Sequence, residues 1–307
     1  MSATEFGQSI LDGIASGSVF AILGVGLGLI VGVTGRFHFA YAMNIVLPIY
    51  FATTLISAGL GTYPAIVIGL LLGAAVGVAM EALLYRPLAE RAPQAALLAI
   101  FVTSLGLLTV CENVIRLIWG SEPRALDPGF TVSRVDLGTA LGLNTLQLVW
   151  IGVAAVIVVV LSIYLARGKM GRAIRAVEDN PEMAAAVGIS PRRVFAVVFA
   201  IGAALAGVGG VLFTMQGAAL PESGVLPTFT AFVIVFLAGV KSGVPRFALA
   251  GIGVGLLQAI SATALGPSWS PVVTFGVLFF YVAAVPLRER GLTWRIRRQR
   301  VAEASGS

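Results

Sequence analysis

The sequence predicts an all-α fold: a polytopic transmembrane helical bundle of eight to nine membrane segments, with an ordered helix held at its cytoplasmic face. Three observations carry that expectation. Hydrophobic residues make up 58% of the 307 and charged residues 11%, where a soluble domain has about a quarter charged; mean hydropathy is +0.98. Stretches free of Asp, Glu, Lys and Arg are long enough to cross ~30 Å of hydrocarbon, which takes about 20 residues of helix. These long unbroken runs contradict the ten-residue polar and apolar alternation of a membrane β-barrel.

In chain order the charge-free stretches are Gly13 to Gly35, Phe39 to Met80, Ala92 to Cys111, Leu137 to Ala166, Val194 to Pro221, Ser223 to Val240 and Phe247 to Leu287. Two are long enough to cross twice, and each carries a Gly/Pro turn signal near its middle. These are Gly59-Leu60-Gly61-Thr62-Tyr63-Pro64 and Gly266-Pro267-Ser268-Trp269-Ser270-Pro271. The count is nine, or eight if the segment near Pro48 is re-entrant. The chain reads as one membrane domain, residues 1–307, with a cytoplasmic loop at 167–193 and a basic tail at 288–307.

Orientation follows from the excess of Lys and Arg in cytoplasmic loops. With the N-terminus outside, the inside loops and tail hold 17 of the 20 basic residues: Arg36, Arg86, Arg91, Arg167, Lys169, Arg172, Arg175, Arg192, Arg193, Lys241, Arg246 and the six arginines from Arg288 to Arg300. Arg116, Arg124 and Arg134 fall outside. The C-terminus is then cytoplasmic, and the net charge of +6 faces anionic lipid headgroups rather than nucleic acid. The first residues lack the basic region of a cleaved signal peptide. Cys111 is the one cysteine, so no internal disulfide forms.

Glycines recur at spacing four: Gly24, Gly28 and Gly32; Gly69, Gly73 and Gly77; Gly251 and Gly255. Small residues one turn apart let helices approach closely in lipid. Polar residues within apolar runs cost a few kcal/mol unless partnered or wet. Glu112 and Arg116 stand four apart with the acid first, the favourable order for a helical ion pair, and Asn113 lies between them. That group reads either as a structural pair near the outer interface or as a lining of the solute path. Phe37, His38 and Asn44 sit in a polar, aromatic patch between two spans, either an interfacial turn or a pathway element lining a cavity. Gln258 is a further pathway candidate. One histidine and one cysteine supply neither a metal site nor an enzymatic cluster.

The loop Gly171 to Arg193 holds the most charged internal segment. Arg172 and Arg175 lie one turn apart. Asn180 then suits a helix N-cap, Pro181 the first helical position and Glu182 the positive end of the helix dipole, while Gly188 suits the stop. A short cytoplasmic helix without a core of its own needs a partner, and Ala184, Ala185, Val187 and Ile189 offer a small apolar face for a groove on another protein; the alternative is a solvated helix touching lipid.

Glu182-Met183-Ala184-Ala185-Ala186-Val187-Gly188 resembles the EAA loop of bacterial ABC importer permeases, whose coupling helix seats on the ATPase subunit. Gly171-Arg172-Ala173-Ile174-Arg175-Ala176, the Asn180-Pro181-Glu182 turn, Ile201 to Gly210, Ser16 to Gly32, Gly106 to Leu117 and Phe232 to Gly243 resemble the branched-chain amino-acid permease family. That resemblance implies an importer permease in the bacterial inner membrane, with Gly171, Arg172, Arg175, Asn180, Pro181, Glu182, Ala184, Ala185 and Gly188 coupling it to the ATPase. It implies a second permease subunit, related or identical, two cytoplasmic ATPase subunits that bind the ATP and Mg, and an extracytoplasmic solute-binding protein. Where the family commonly has Asn-Phe-Ala-His-Gly and an acidic residue, this chain has His38-Phe39-Ala40-Tyr41-Ala42-Met43. The solute therefore stays open among branched-chain amino acids, urea, amides and carboxylic acids.

The chain carries no P-loop, because Gly168-Lys169 is followed by Met170 instead of the hydroxyl that holds Mg. Its energy source is therefore a separate polypeptide or an ion gradient. A gradient-driven secondary transporter, the alternative, calls for ionisable relays at mid-span, and only Glu81 and Glu112, both near span ends, are on offer.

Overall fold

The computed structural model describes residues 2–136, 141–281 and 283. Its helices are α1 (Ala3–Thr34), α2 (Tyr41–Ser57), α3 (Thr62–Met80), α4 (Arg86–Arg91), α5 (Ala96–Trp119), α6 (Thr145–Arg167), α7 (Lys169–Asp179), α8 (Pro181–Ala186), α9 (Pro191–Thr214), α10 (Val225–Ala238) and α11 (Val244–Leu265). A twelfth, α12, starts at residue 270 and reaches the edge of the described residues. Among the described residues six helices are long and apolar enough to cross a membrane: α1, α5, α6, α9, α11, and α3 taken together with α4. Two more, α2 and α10, are apolar but shorter, at 17 and 14 residues. The basic tail at 288–307 lies outside the described residues.

The fold is almost wholly helical, as expected, and its one small sheet among the described residues lies before α6. Strands β1 (Arg134–Asp136) and β2 (Gly142–Asn144) pair antiparallel, with Arg134 opposite Asn144. The apolar stretch from Leu137 was expected to be helical, yet α6 begins only at Thr145. The reason is a capping box: Asn144 accepts from the Gln147 N–H at 2.7 Å and the Gln147 side chain accepts from the Asn144 N–H at 2.9 Å.

Contacts sort the connections onto two ends of the bundle. At one end Gln8 bonds Gly142, Trp119 bonds Thr54, Tyr63 bonds Pro128, and Arg124 pairs with Ala219. At the other, Glu90 pairs with Arg192 and the Lys241 ammonium reaches the Glu178 carbonyl. The first end carries the loops expected outside and the second those expected inside; the two are named the outer and inner ends after that expectation.

Helix α1 is the axis of the fold. Its most apolar window is 89% buried, against 11% for α5 at the periphery, and at 32 residues it spans ~48 Å, longer than the hydrocarbon is thick. Its largest contact is with α11, where backbones touch: a Cβ on Gly255 meets the backbone of Gly17, and one on Gly251 meets that of Ala21. The Gly69 and Gly73 stripe likewise receives Pro48 of α2, and α2 runs unbroken through that proline. Because main chain cannot step aside as a side chain can, Gly255→Leu is expected to cost more than the 1–3 kcal/mol of ordinary overpacking. Size-exclusion of a fluorescently tagged variant in detergent checks this; a monodisperse, wild-type yield refutes it.

The helical run does not stop at Met80, where α3 ends. It passes through a π turn at Glu81–Tyr85 into α4, and π turns of this kind concentrate at functional sites.

Candidate functional site

At the inner end, α6 turns into α7 with almost no connector. The turn is tight because Gly171 lies directly on the Leu165 carbonyl, where a Cβ has no room. Arg172 donates to the Arg167 carbonyl at 3.1 Å and Arg175 to the Leu165 carbonyl at 2.6 Å, so both guanidinium groups satisfy carbonyls left open at the C-terminus of α6. These two residues, expected to couple the chain to an ATPase, thus bridge α6 and α7. Helix α7 buries Gly171, Ile174 and Val177 and packs on α1, α6 and α9.

Helix α8 follows the sequence closely. The Asn180 side chain accepts from the Glu182 and Met183 N–H groups, both at 3.0 Å, Pro181 takes the first position, and Gly188 stops the helix at φ +87°. The outward face differs from the expectation. Ala184 is 4% exposed and Ile189 half-buried, so both turn into the chain. Met183 and Val187, 64% and 73% exposed, stand outward with Glu182 and Ala185.

The second feature is a buried polar network that joins the α1–α2 connection to the π turn. The Arg36 guanidinium pairs with the Glu81 carboxylate and lies 5.0 Å from the centre of the Phe195 ring. His38 Nδ1 and Tyr85 Oη are 2.8 Å apart, and Asn44 Nδ2 is 3.0 Å from His38 Nε2. With the Asn44 amide donating to Nε2, Nδ1 carries the proton and donates to Tyr85. Among the described residues Glu81 Oε1 and Asn44 Oδ1 have no hydrogen-bond partner. His38, Asn44 and Glu81 are fully buried, so His38 and Asn44 form a structural core and neither turns to open solvent.

The neighbours of His38 face the other way. His38 enters the core while Phe37 and Phe39 line a groove of about 550 Å³ with Phe101, Phe229, Phe232 and Phe275. Phe39 stacks on Phe232 with centroids 4.6 Å apart, and Ser104 ties the connection to α5: its hydroxyl oxygen accepts from the Phe39 N–H at 3.3 Å, and its proton is shared between the Phe101 carbonyl at 2.8 Å and the Phe37 carbonyl at 3.2 Å.

At the outer end, Arg116 pairs with Glu222 at 3.0 Å, which corrects the expected pairing with Glu112. Among the described residues Glu112 has no ion pair, and Asn113 bonds back to the Thr109 carbonyl at 2.8 Å. The hydrogen bond from Arg116 holds the Glu222 carboxyl below its usual range. Gln258 lines a small separate pocket of about 170 Å³ with Phe20 and Thr230. The structure therefore gathers Phe37, His38 and Asn44 at one place and leaves Glu112, Asn113, Arg116 and Gln258 elsewhere. Sequence reasoning missed Arg36, Glu81 and Tyr85 as one unit; the available signal was an arginine beside the aromatic patch together with Glu81 and Tyr85 four residues apart.

Comparison with known proteins gives a consistent result. The family described as branched-chain amino acid transport system / permease component matches residues 9–282. The high-affinity branched-chain amino acid transport system permease protein BraD of Pseudomonas aeruginosa is 27% identical, covering 91% of this chain and 94% of its own length. LivH of Escherichia coli K12, with the same description, is 29% identical over 92% and 94%. LivM of the same strain is 27% identical over 73% of this chain and 57% of its own. Among solved structures, PsaBC from Streptococcus pneumoniae in complex with Fab matches at TM-score 0.50 and 12% identity, covering 88% of this chain and 89% of that one; that likeness concerns the fold alone.

Proposed function

Since the chain belongs to the family of permease components of branched-chain amino acid transport systems, matched from residue 9 to 282, we propose that it is the membrane permease of an ATP-driven ABC importer in the bacterial inner membrane. Its solute is a branched-chain amino acid or a related small polar molecule such as urea, an amide or a carboxylic acid. The named relatives favour this over a gradient-driven transporter. The whole chain acts as one transmembrane domain. The division of its connections between two ends supports nine passes, with the N-terminus outside and the C-terminal tail in the cytoplasm.

The observation that carries the reading is α8. It is a capped, glycine-stopped helix that presents Met183 and Val187 to solvent at the end where the basic loops gather, as a docking helix does. ATP and Mg bind to two partner ATPase subunits, and no cofactor is assigned to this chain. When those subunits move, α8 passes the displacement to α7, and α7 to α1 and α6, because Gly171, Arg172 and Arg175 make the α6–α7 joint stiff. The Phe37 and Phe39 groove supplies an apolar wall of the solute path, completed by a second permease subunit, either a related chain or a second copy. Glu112 and Asn113 favour that partner, since polar groups on the outside of a span are costly against lipid. An extracytoplasmic solute-binding protein meets the outer end, where Arg124 and Asp127 lie.

Affinity purification of the tagged chain from its native membrane in mild detergent tests this. A P-loop ATPase and a second permease are expected in the eluate, with ATP hydrolysis. Their repeated absence from intact, monodisperse protein overturns the proposal.

A further inference from the structure

Between the inner end of α1 and α7 lies a half-enclosed cavity of about 410 Å³, within the size range of small-molecule sites. Its floor is apolar, made by Leu29, Val33, Leu165 and Val244, and Glu178, Lys241, Arg175 and Ser162 complete the wall. The polar groups are unequally committed. Arg175 is held by the Leu165 carbonyl at 2.6 Å. Lys241 donates once, to the Glu178 carbonyl at 3.2 Å, and an ammonium has three donors. The Glu178 carboxylate accepts no hydrogen bond among the described residues, and burial pushes its carboxyl above the usual range against the pull of Lys241. The Ser162 hydroxyl is buried without a partner there.

The cavity thus offers a carboxylate that accepts no hydrogen bond among the described residues and an ammonium with spare donors, beside apolar lining. A partly desolvated carboxylate without donors is costly, and a ligand ammonium offsets that cost; the ligand's own carboxylate finds donors on Lys241. We propose that this cavity binds an amino acid with an apolar side chain, ammonium toward Glu178 and carboxylate toward Lys241, and that solute arriving in the cytoplasm slows further import by occupying it. The regulatory half rests on the function proposed above. Its physical basis is position: the cavity lies in the joint through which α7 carries motion from α8 to α1, and an occupant wedged there resists that motion.

Proteoliposomes containing the chain, its second permease and its ATPases, with ATP inside and the binding protein outside, test the inference. The probe is L-leucine loaded inside. Initial uptake is expected to fall with internal leucine. Glu178→Gln and Lys241→Gln are each expected to raise the half-inhibiting concentration about tenfold or more, the effect of losing one charge-assisted contact, with uptake into leucine-free vesicles unchanged. Uptake that ignores internal leucine, or a half-inhibiting concentration unchanged from wild type in both variants, overturns the regulatory half.

Equilibrium binding of labelled leucine to the purified complex in nanodiscs reports the site independently. Binding weakened in both variants establishes the site even where uptake fails, in which case the importer reading alone falls. Binding equal in wild type and both variants, or wild-type binding abolished by phosphatidylethanolamine discs with that lipid co-purifying, overturns the amino-acid assignment.

Discussion

Ala185→Arg is expected to leave the protein in the membrane at wild-type level and to reduce solute uptake about thirtyfold or more, the loss of a central contact in an interface. Its neighbour gives the opposite result: Ala184→Arg removes folded protein altogether. The two positions share a helix and a residue type but not an environment. Ala185 is exposed on α8, so arginine, a good helix former, costs little in folding and places a bulky charge on the face proposed to meet the ATPase. Ala184 is 4% exposed, and an arginine there loses its hydration without a counter-charge. Membrane level by immunoblot, uptake, and the ATPase recovered with the tagged chain form the measurement. Normal ATPase recovery with Ala185→Arg refutes the docking role of α8, and normal folding of Ala184→Arg refutes its burial.

Glu81→Leu is expected to destabilise the protein by about 3–5 kcal/mol, whereas Arg36→Met with Glu81→Leu together recovers most of that loss. Both side chains are buried, so removing the carboxylate strands a guanidinium whose remaining contact is the Phe195 ring. Removing both replaces two desolvated ions with apolar volume. Thermal melts of the two single variants and the double in the same detergent close the cycle. Equal melts for Glu81→Leu and wild type refute the ion pair. A double variant no better than the single assigns it a role beyond charge balance, such as holding the α1–α2 connection against the π turn.

What was legible in the sequence was whatever depends on a turn or two of chain. The charge-free runs gave the helices because hydrocarbon admits backbone only when it is hydrogen-bonded within its own segment. Asn180, Pro181 and Gly188 gave both ends of α8, since a cap is a contact between residues two or three apart. The glycine stripes marked the faces that pack closest, as the touching backbones of Gly17 and Gly255 show. The family resemblance was legible in the same local way, motif by motif.

Only the tertiary structure decided who meets whom across the bundle. Arg116 was paired with Glu112 by spacing, but its partner is Glu222, 106 residues away, because the α9–α10 connection returns to the outer end of α5. Arg36 and Glu81 are 45 residues apart, and their meeting depends on a π turn that composition does not announce. Met183 and Val187 rather than Ala184 face outward because α9 already covers one side of α8. Hydropathy and caps are set by neighbours in the chain, so the segments and their stops could be read from the residues alone. Partners and exposed faces are set by how helices lie on one another, and that is decided only when the whole bundle closes.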